Sequence, residues 1–175
     1  EDRLDKFKQI LQIERERSGP DTLDTYWELI SNYSQKFASI IKSAHEAQGT
    51  VFIFSEFKDY AIRPLEVMLQ CLGYRLYSGR DEPSYFIWTG DTNDDKNKLR
   101  KVTSVFNSVD NVDGSRIKII LGSLAIMEGV DFKHIKEVHI CEPWWNEPRI
   151  QQVMARAVRF CSHLESPHRE VNIYR

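Results

Sequence analysis

Gly49-Thr50-Val51-Phe52-Ile53-Phe54-Ser55-Glu56-Phe57 marks a change of character in the chain. An apolar run starts straight after a glycine and ends in a short polar cluster. Further runs of this kind occur at Tyr74 to Tyr77, Tyr85 to Trp88, Ile117 to Leu121, Val138 to Cys141 and Val171 to Tyr174. They are dense in Val, Ile, Phe and Tyr and do not alternate with polar residues. Strands covered on both faces look this way. Helical patterns lie between them, over about 58–72, 95–107 and 148–159. Strand and helix taken in turn predict an α/β fold, a parallel sheet flanked by helices.

Upstream of Gly49 the pattern is helical throughout. Leu4, Phe7, Ile10, Leu11 and Ile13 form an amphipathic stripe over 4–17. Ser18-Gly19-Pro20-Asp21 breaks it, and Asp21 or Thr22 can cap the next helix. A second helical stretch is expected from about Thr22 to Ala47, with Trp27, Leu29, Ile30, Tyr33, Phe37, Ile40 and Ile41 on its apolar face. The change of character divides the chain into a helical N-terminal extension, 1–48, and an α/β domain, 49–175.

Composition sets bounds on function. At 175 residues and 41% apolar content, one domain with a substantial core is expected, or one domain with an appendage. The net charge of −2 gives no ground for nucleic-acid binding from bulk charge, so any such surface must be local. Cys71, Cys141 and Cys161 are odd in number and lack framework spacing, which points to a reducing compartment. No apolar run is long enough to span a membrane and no signal peptide is visible, so no membrane partner is expected. The chain starts at Glu1 rather than Met and stops at Arg175 inside an apparent strand, and it reads as a piece of a longer protein.

Ligands of open parallel sheets bind beyond the carboxyl ends of the strands. The segments to inspect are therefore Ser55-Glu56-Phe57, Thr89-Gly90-Asp91-Thr92, Gly122-Ser123, Glu128-Gly129-Val130-Asp131 and Glu142-Pro143-Trp144-Trp145-Asn146. They are expected to converge on one edge, together with the helix that carries Gln152, Arg156 and Arg159. Arginines three apart on a helix are neighbours, and two planar forks suit a phosphate cluster.

These blocks, in this order, resemble the second RecA-like domain of a superfamily 2 helicase of the Snf2-like branch. The resemblance covers Tyr33 to Arg175. YSQKF at 33–37 and VFIFSEF at 51–57 are similar to the helix and motif IV of that branch. WTGD at 88–91, with Val105-Phe106-Asn107, matches the next block. GSLAIMEGVDF at 122–132 is similar to motif V, ICEPWWNEP at 140–148 to the tryptophan-asparagine segment, and QVMARAVR at 152–159 to motif VI. The tail Arg159-Phe160-Cys161-Ser162-His163 resembles members from large DNA viruses, the early transcription factor and nucleoside triphosphatase I group of poxviruses and African swine fever virus relatives. The chain departs from the pattern at Ala155, where the family has glycine.

The resemblance implies an α/β, RecA-like parallel sheet flanked by helices, and a C-terminal motor lobe of an ATP-dependent translocase or helicase in viral early transcription. ATP and Mg would be held mainly by an N-terminal RecA-like domain of the same protein. Arg156 and Arg159 would contact the γ-phosphate, with Gln152 orienting the site. Gly129 and Asp131 would lie near the ribose, with Glu128 supporting their loop. Ser55, Thr89, Gly90 and Ser123 would touch a nucleic-acid backbone, DNA in the first instance and RNA as the alternative. Viral transcription machinery would be a further partner, and the implied location is the host cytoplasm, in viral factories, and the virion.

The sequence holds no GxxxxGK[ST], so no phosphate loop of its own is expected. Asp81-Glu82-Pro83-Ser84 has the letters of a magnesium-binding box but comes after a turn rather than an apolar strand. The isolated chain is therefore expected to be inactive. Cys141, Cys161, His163 and His168 fit no metal-ligand spacing, and no metal site is expected. Adjacent Trp144 and Trp145 read as half core, half surface, with base stacking as the alternative. His139 reads as a satisfied histidine, and Asp94 and Asp95 as helix-start acids. Two rival readings remain, a nucleic-acid or protein docking module that lost the motor, which Ala155 favours, and a cellular remodeller or repair helicase.

Overall fold

A computed structural model of the chain describes residues 2–19, 23–80, 82–92, 95–127, 130–142, 146–158, 162–163 and 170–175. The helices α1 (Asp2–Ser18), α2 (Asp24–Tyr33) and α3 (Gln35–Glu46) precede β1 (Thr50–Phe54). A π-helical turn (Lys58–Ile62) leads into α4 (Arg63–Cys71), then β2 (Arg75–Leu76) and β3 (Ser84–Trp88). The remaining elements are α5 (Lys96–Phe106), β4 (Ile117–Gly122), β5 (Ile135–Ile140), α6 (Glu147–Ala157) and β6 (Asn172–Tyr174).

The strands form one parallel sheet in the order β2-β3-β4-β1-β5-β6. All residues of β1 are buried, and the strand feeds two cores. Val51 and Ile53 join Ile119 and Leu121 under α1–α4, where Leu11, Tyr26, Ile30, Ile41 and Leu65 are buried. Phe52 and Phe54 join Ile120, Val138 and Ile140 under α5 and α6, where Leu99, Phe106, Ile150 and Val153 are buried. Each such side chain contributes roughly 1.5–3 kcal/mol when removed from water. That is why the strand sequences lack alternation. The helices before Gly49 share the first of these cores with the sheet.

The helix expected over 22–47 is two helices. Ser34 is extended (φ −160°, ψ 107°), and its hydroxyl accepts from the Phe37 amide at 3.2 Å, starting α3 afresh. The apolar stripe runs on across the break, so periodicity alone does not reveal it. Asp21 and Thr22, the expected caps, lie outside the described residues. Leu23 stands at the N-cap of α2 and makes no side-chain capping bond. Helix α6 ends at Ala157, earlier than expected, and Val158 has left the helical region (φ −116°, ψ 78°).

Several polar groups inside the fold have partners within it. Asn111, fully buried, donates to the carbonyls of Phe106 (3.2 Å) and Ile117 (3.0 Å) and accepts from the amides of Arg116 (3.0 Å) and Ile117 (2.9 Å). Glu137 sits 3.1 Å from His139 Nε2 and accepts from the Ser43 hydroxyl at 2.8 Å. Burial pushes its carboxyl up, but the bonds to His139 and Ser43 outweigh that and hold it below the usual range. His139 stacks on Tyr174 at 4.7 Å, so it is a satisfied histidine. Asp95 caps α5 by accepting from Lys98. Among the described residues no helix is long and apolar enough to cross a membrane.

Burial pushes the thiols of Cys71 and Cys141 up to about 11 and about 12. The reactive thiolate is then roughly 10⁻³ or less of either population near neutral pH. Alkylation of the native protein is expected to leave both unmodified, with labelling of both only in denaturant. Peptide mass spectrometry measures this, and rapid native labelling of either would contradict its burial.

Candidate functional site

Ser55, Thr89, Gly90 and Ser123 come together at the carboxyl edge of the sheet. Hydrogen bonds continue the ladder past the strand ends. The Ser55 amide donates to the Gly122 carbonyl (3.0 Å), the Ser123 amide to Trp88 (2.9 Å) and the Cys141 amide to Phe54 (2.9 Å). Gly122, the last residue of β4, leaves no room for a side chain, because a Cβ on it would meet Ile126 at 2.6 Å and Phe52 at 2.7 Å. The four residues differ in access. Gly90 is exposed and Ser123 half-buried, whereas Ser55 and Thr89 are 0% and 4% exposed.

Glu142, two residues past the end of β5, is bonded to the buried Ser55. Its Oε1 accepts the Ser55 hydroxyl at 2.5 Å, and its Oε2 accepts the Glu56 amide at 3.2 Å. Ser55 Oγ in turn accepts the Phe57 amide at 3.0 Å. The Ser55 proton is thus committed to a cross-link between two loops. A phosphate contact by Ser55 requires that link to open. Lys58 and Asp91 form an ion pair that ties the β1 loop to the β3 loop. Burial pushes the Glu56 carboxyl up, opposed by Arg149 and reinforced by Glu142. Phe57 and Tyr60 stand out from the same edge, 53% and 82% exposed. Behind it lies a cavity of about 130 Å³ lined by Phe54, Glu56, Phe57, Ile140, Glu142 and Val153, among others. Pockets that enclose a small molecule hold roughly 300–1,000 Å³, so this cavity is too small for a nucleotide.

Asp131 and Arg156 lie elsewhere, which corrects the expectation of one convergent edge. Helix α6 starts beside the carboxyl edge and runs back along the sheet. Its 11 residues rise about 16 Å, about the length of a strand. Arg156 therefore reaches the loop that enters β5 at its amino end. There the Phe132 amide donates to the Arg156 carbonyl at 3.0 Å, and Thr50, the first residue of β1, donates to the His134 carbonyl at 3.1 Å. Arg156 Nη1 lies 3.4 Å from Asp131 Oδ1, with the side chains 26% and 46% exposed. Pairs this exposed contribute up to about 1 kcal/mol, so Asp131 would not hold Arg156 against a phosphate cluster. Gln152 is exposed one turn earlier on the same helix face. Glu128, Gly129 and Arg159 lie outside the described residues, and so do Trp144 and Trp145. Of the two arginines, Arg156 lies on α6, which ends at Ala157.

Other candidates separate in space. His163 Nε2 is 2.8 Å from the Ile135 carbonyl, at the amino end of β5, and Ser162 Oγ is 2.6 Å from its Nδ1. Nε2 therefore donates to that carbonyl. Cys141 is at the other end of β5, about 20 Å away along the strand. They cannot share a zinc ion. Cys161 and His168 lie outside the described residues, and no metal-holding cluster occurs among those described. Glu82 to Ser84 enter β3 at its amino end, away from the carboxyl edge.

The model of the helicase conserved C-terminal domain matches residues 34–161. The chain belongs to that family. A protein of Acanthamoeba polyphaga mimivirus, named ATP-dependent RNA helicase R563, is 42% identical over 83% of this chain, which covers 26% of that protein. The termination factor NPH-I homolog of African swine fever virus is 28% identical over 81% of this chain, covering 25% of the relative. The helicase domain thus spans about a quarter of the length of these curated relatives. The C-terminal part of the Fun30 ATPase domain shares the fold, with a TM-score of 0.59 at 22% identity over 80% of this chain and 39% of that one. The DEAD-box protein SrmB of E. coli also shares it, with a TM-score of 0.52 at 10% identity over 79% of this chain and 68% of that one. The fold is the RecA-like arrangement that the motif order implied, with the N-terminal helices in place.

Two residues of this helicase domain come forward only in the structure. In the sequence Glu142 stands only as the first residue of a segment expected at the carboxyl edge, with no role of its own. Asn107 stands there only as the end of a helix. Its partners are 24 and 26 residues away, with no local pattern to announce them.

Proposed function

We propose that this helicase domain is the C-terminal motor lobe of an ATP-dependent nucleic-acid translocase acting in viral transcription. Arg156, on α6 with its side chain 26% exposed and 3.4 Å from Asp131, carries the reading. A partly exposed guanidinium of this kind suits a phosphate presented by a second body. That body would be the N-terminal RecA-like domain of the same protein, supplying the phosphate loop and most of the ATP and Mg contacts. Arg156 and Arg159 would then stabilise charge that develops on the γ-phosphate, with Gln152 beside them. Glu128, Gly129 and Asp131 would lie near the nucleotide. Gly90 and Ser123 offer the accessible backbone contacts for DNA or RNA, with Thr89 behind them. Ser55 would act chiefly by fixing its loop. Viral transcription machinery would be the wider partner, in the host cytoplasm and the virion. Ala155, where the family has glycine, is exposed on α6, which weakens the steric ground for a docking module.

ATP turnover by the full-length protein, measured with and without added DNA or RNA, tests the reading. Turnover should rise with nucleic acid, and the 175-residue chain alone should show none. A full-length protein that binds nucleic acid without hydrolysing ATP would return the docking module.

A further inference from the structure

We infer that Asn107 is a positioning residue for ATP hydrolysis, acting on Arg156 through the loop 131–133. The inference deepens the proposed reading of Arg156 and rests on it. Asn107 comes directly after the last turn of α5, and its amide is used on both sides. Nδ2 donates to the Asp131 carbonyl at 2.8 Å, and Oδ1 accepts the Lys133 amide at 2.8 Å. The residue between them, Phe132, donates its own amide to the Arg156 carbonyl at 3.0 Å. Consecutive residues of the loop are thus fastened alternately to α5 and to α6. Asp131, whose carbonyl Asn107 holds, sets its carboxylate 3.4 Å from the Arg156 guanidinium. A tilt of the loop therefore moves the backbone of Arg156 and the partner of its side chain together.

The chemistry fits few residue types. The two partners are a carbonyl, which needs a donor, and an amide, which needs an acceptor. That requirement also fixes which way the Asn107 amide points. Aspartate could accept from Lys133 but would set an anion against the Asp131 carbonyl. Alanine would satisfy neither. Asn107 is only half-buried, so its removal leaves both backbone groups accessible to water rather than stranded in the core. The fold should survive the loss, while the aim of Arg156 should not. The ring of Phe132 is anchored separately, fully buried against Phe106 and Phe52. That anchor keeps the loop near its place but does not set its tilt.

The test is steady-state ATP turnover by the full-length protein at saturating nucleic acid, with Asn107→Ala and Asn107→Asp alone and each combined with Arg156→Ala. A misplacement near 1 Å costs up to about 100-fold, so kcat should fall roughly 10- to 100-fold with KM for ATP little changed. In the Arg156→Ala background either change should have no further effect, because two residues that act through one contact are not additive. A purely structural role would instead lower the unfolding midpoint and multiply with Arg156→Ala. Wild-type turnover by both Asn107 variants, or multiplying effects, would overturn the inference. If Asn107→Ala fails to fold, Asn107→Asp, which is nearly isosteric, carries the same comparison. Wild-type turnover by Arg156→Ala alone would overturn the underlying reading and this inference with it. Slow Arg156→Ala beside fast Asn107 variants would overturn this inference alone.

Discussion

Arg156→Ala in the full-length protein is expected to slow nucleic-acid-stimulated ATP hydrolysis on the order of 10³-fold, the usual loss when an arginine finger is removed. Within this domain the guanidinium meets Asp131 only at 3.4 Å, and that carboxylate is nearly half exposed. Loss of that pair alone should lower the unfolding midpoint only slightly. The effect should therefore appear in kcat, with KM for ATP largely kept, as for a contact made mainly in the transition state. Arg156→Lys should recover only part of the loss. An ammonium keeps the charge but not the planar fork that two phosphate oxygens can share. Unchanged kcat in Arg156→Ala would remove Arg156 from the chemistry. A lowered midpoint with unchanged kcat would make it a structural residue. Asp131→Ala separates the two roles further. It removes the resting partner and leaves the guanidinium in place, so a large fall in kcat there would mean that Asp131 holds more than Arg156.

The central strands Thr50 to Phe54 and Ile117 to Gly122 were legible because they are buried on both faces and carry few polar residues. Ile135 to Ile140 contains Lys136, Glu137 and His139, and only its apolar end was read from the sequence. Part of the motif order was legible for the same reason, since the blocks at 88–91, 122–132 and 140–148 each begin at the last residue of a strand. Three features were not. The break at Ser34 keeps the apolar stripe in register, so a 3.6-residue period passes over it. The placement of Arg156 away from the carboxyl edge depends on the direction and length of α6, which sequence position does not convey. Ser55 was legible as an edge residue but not as a buried one. The carboxylate that takes its proton, on Glu142, is 87 residues away. In the last two cases a contact between distant segments decides the outcome, and no local pattern encodes it.

Phe132→Ala is expected to destabilise the domain by about 3–5 kcal/mol, the range for emptying a buried aromatic site. Phe132 is fully buried and meets rings from separate elements of the fold. Its centroid is 5.4 Å from Phe52 of β1, 6.2 Å from Trp88 of β3 and 5.2 Å from Phe106 of α5. The rings of Trp88 and Phe106 meet it edge-on, at 81° and 67°, arrangements that add to the gain from burial. No single element can close the gap by moving, because each is also held by the sheet or by α5. A loss of this size is a large part of the roughly 5–15 kcal/mol that stabilises a typical domain. Chemical unfolding of Phe132→Ala, with the denaturant midpoint and slope both recorded, measures it. Phe132→Leu, which keeps most of the volume, should lose less, about 1.5 kcal/mol or below if the site repacks. A Phe132→Ala domain within about 1 kcal/mol of wild type would mean that the loop is not anchored by its ring, since most surface substitutions already fall inside that range. Phe132 and Asn107 should also differ in what they change first. Ring loss should lower the unfolding midpoint first and turnover only through it. Loss of the Asn107 amide should lower turnover while the midpoint holds. The loop at 131–133 is thus anchored by one residue and aimed by another.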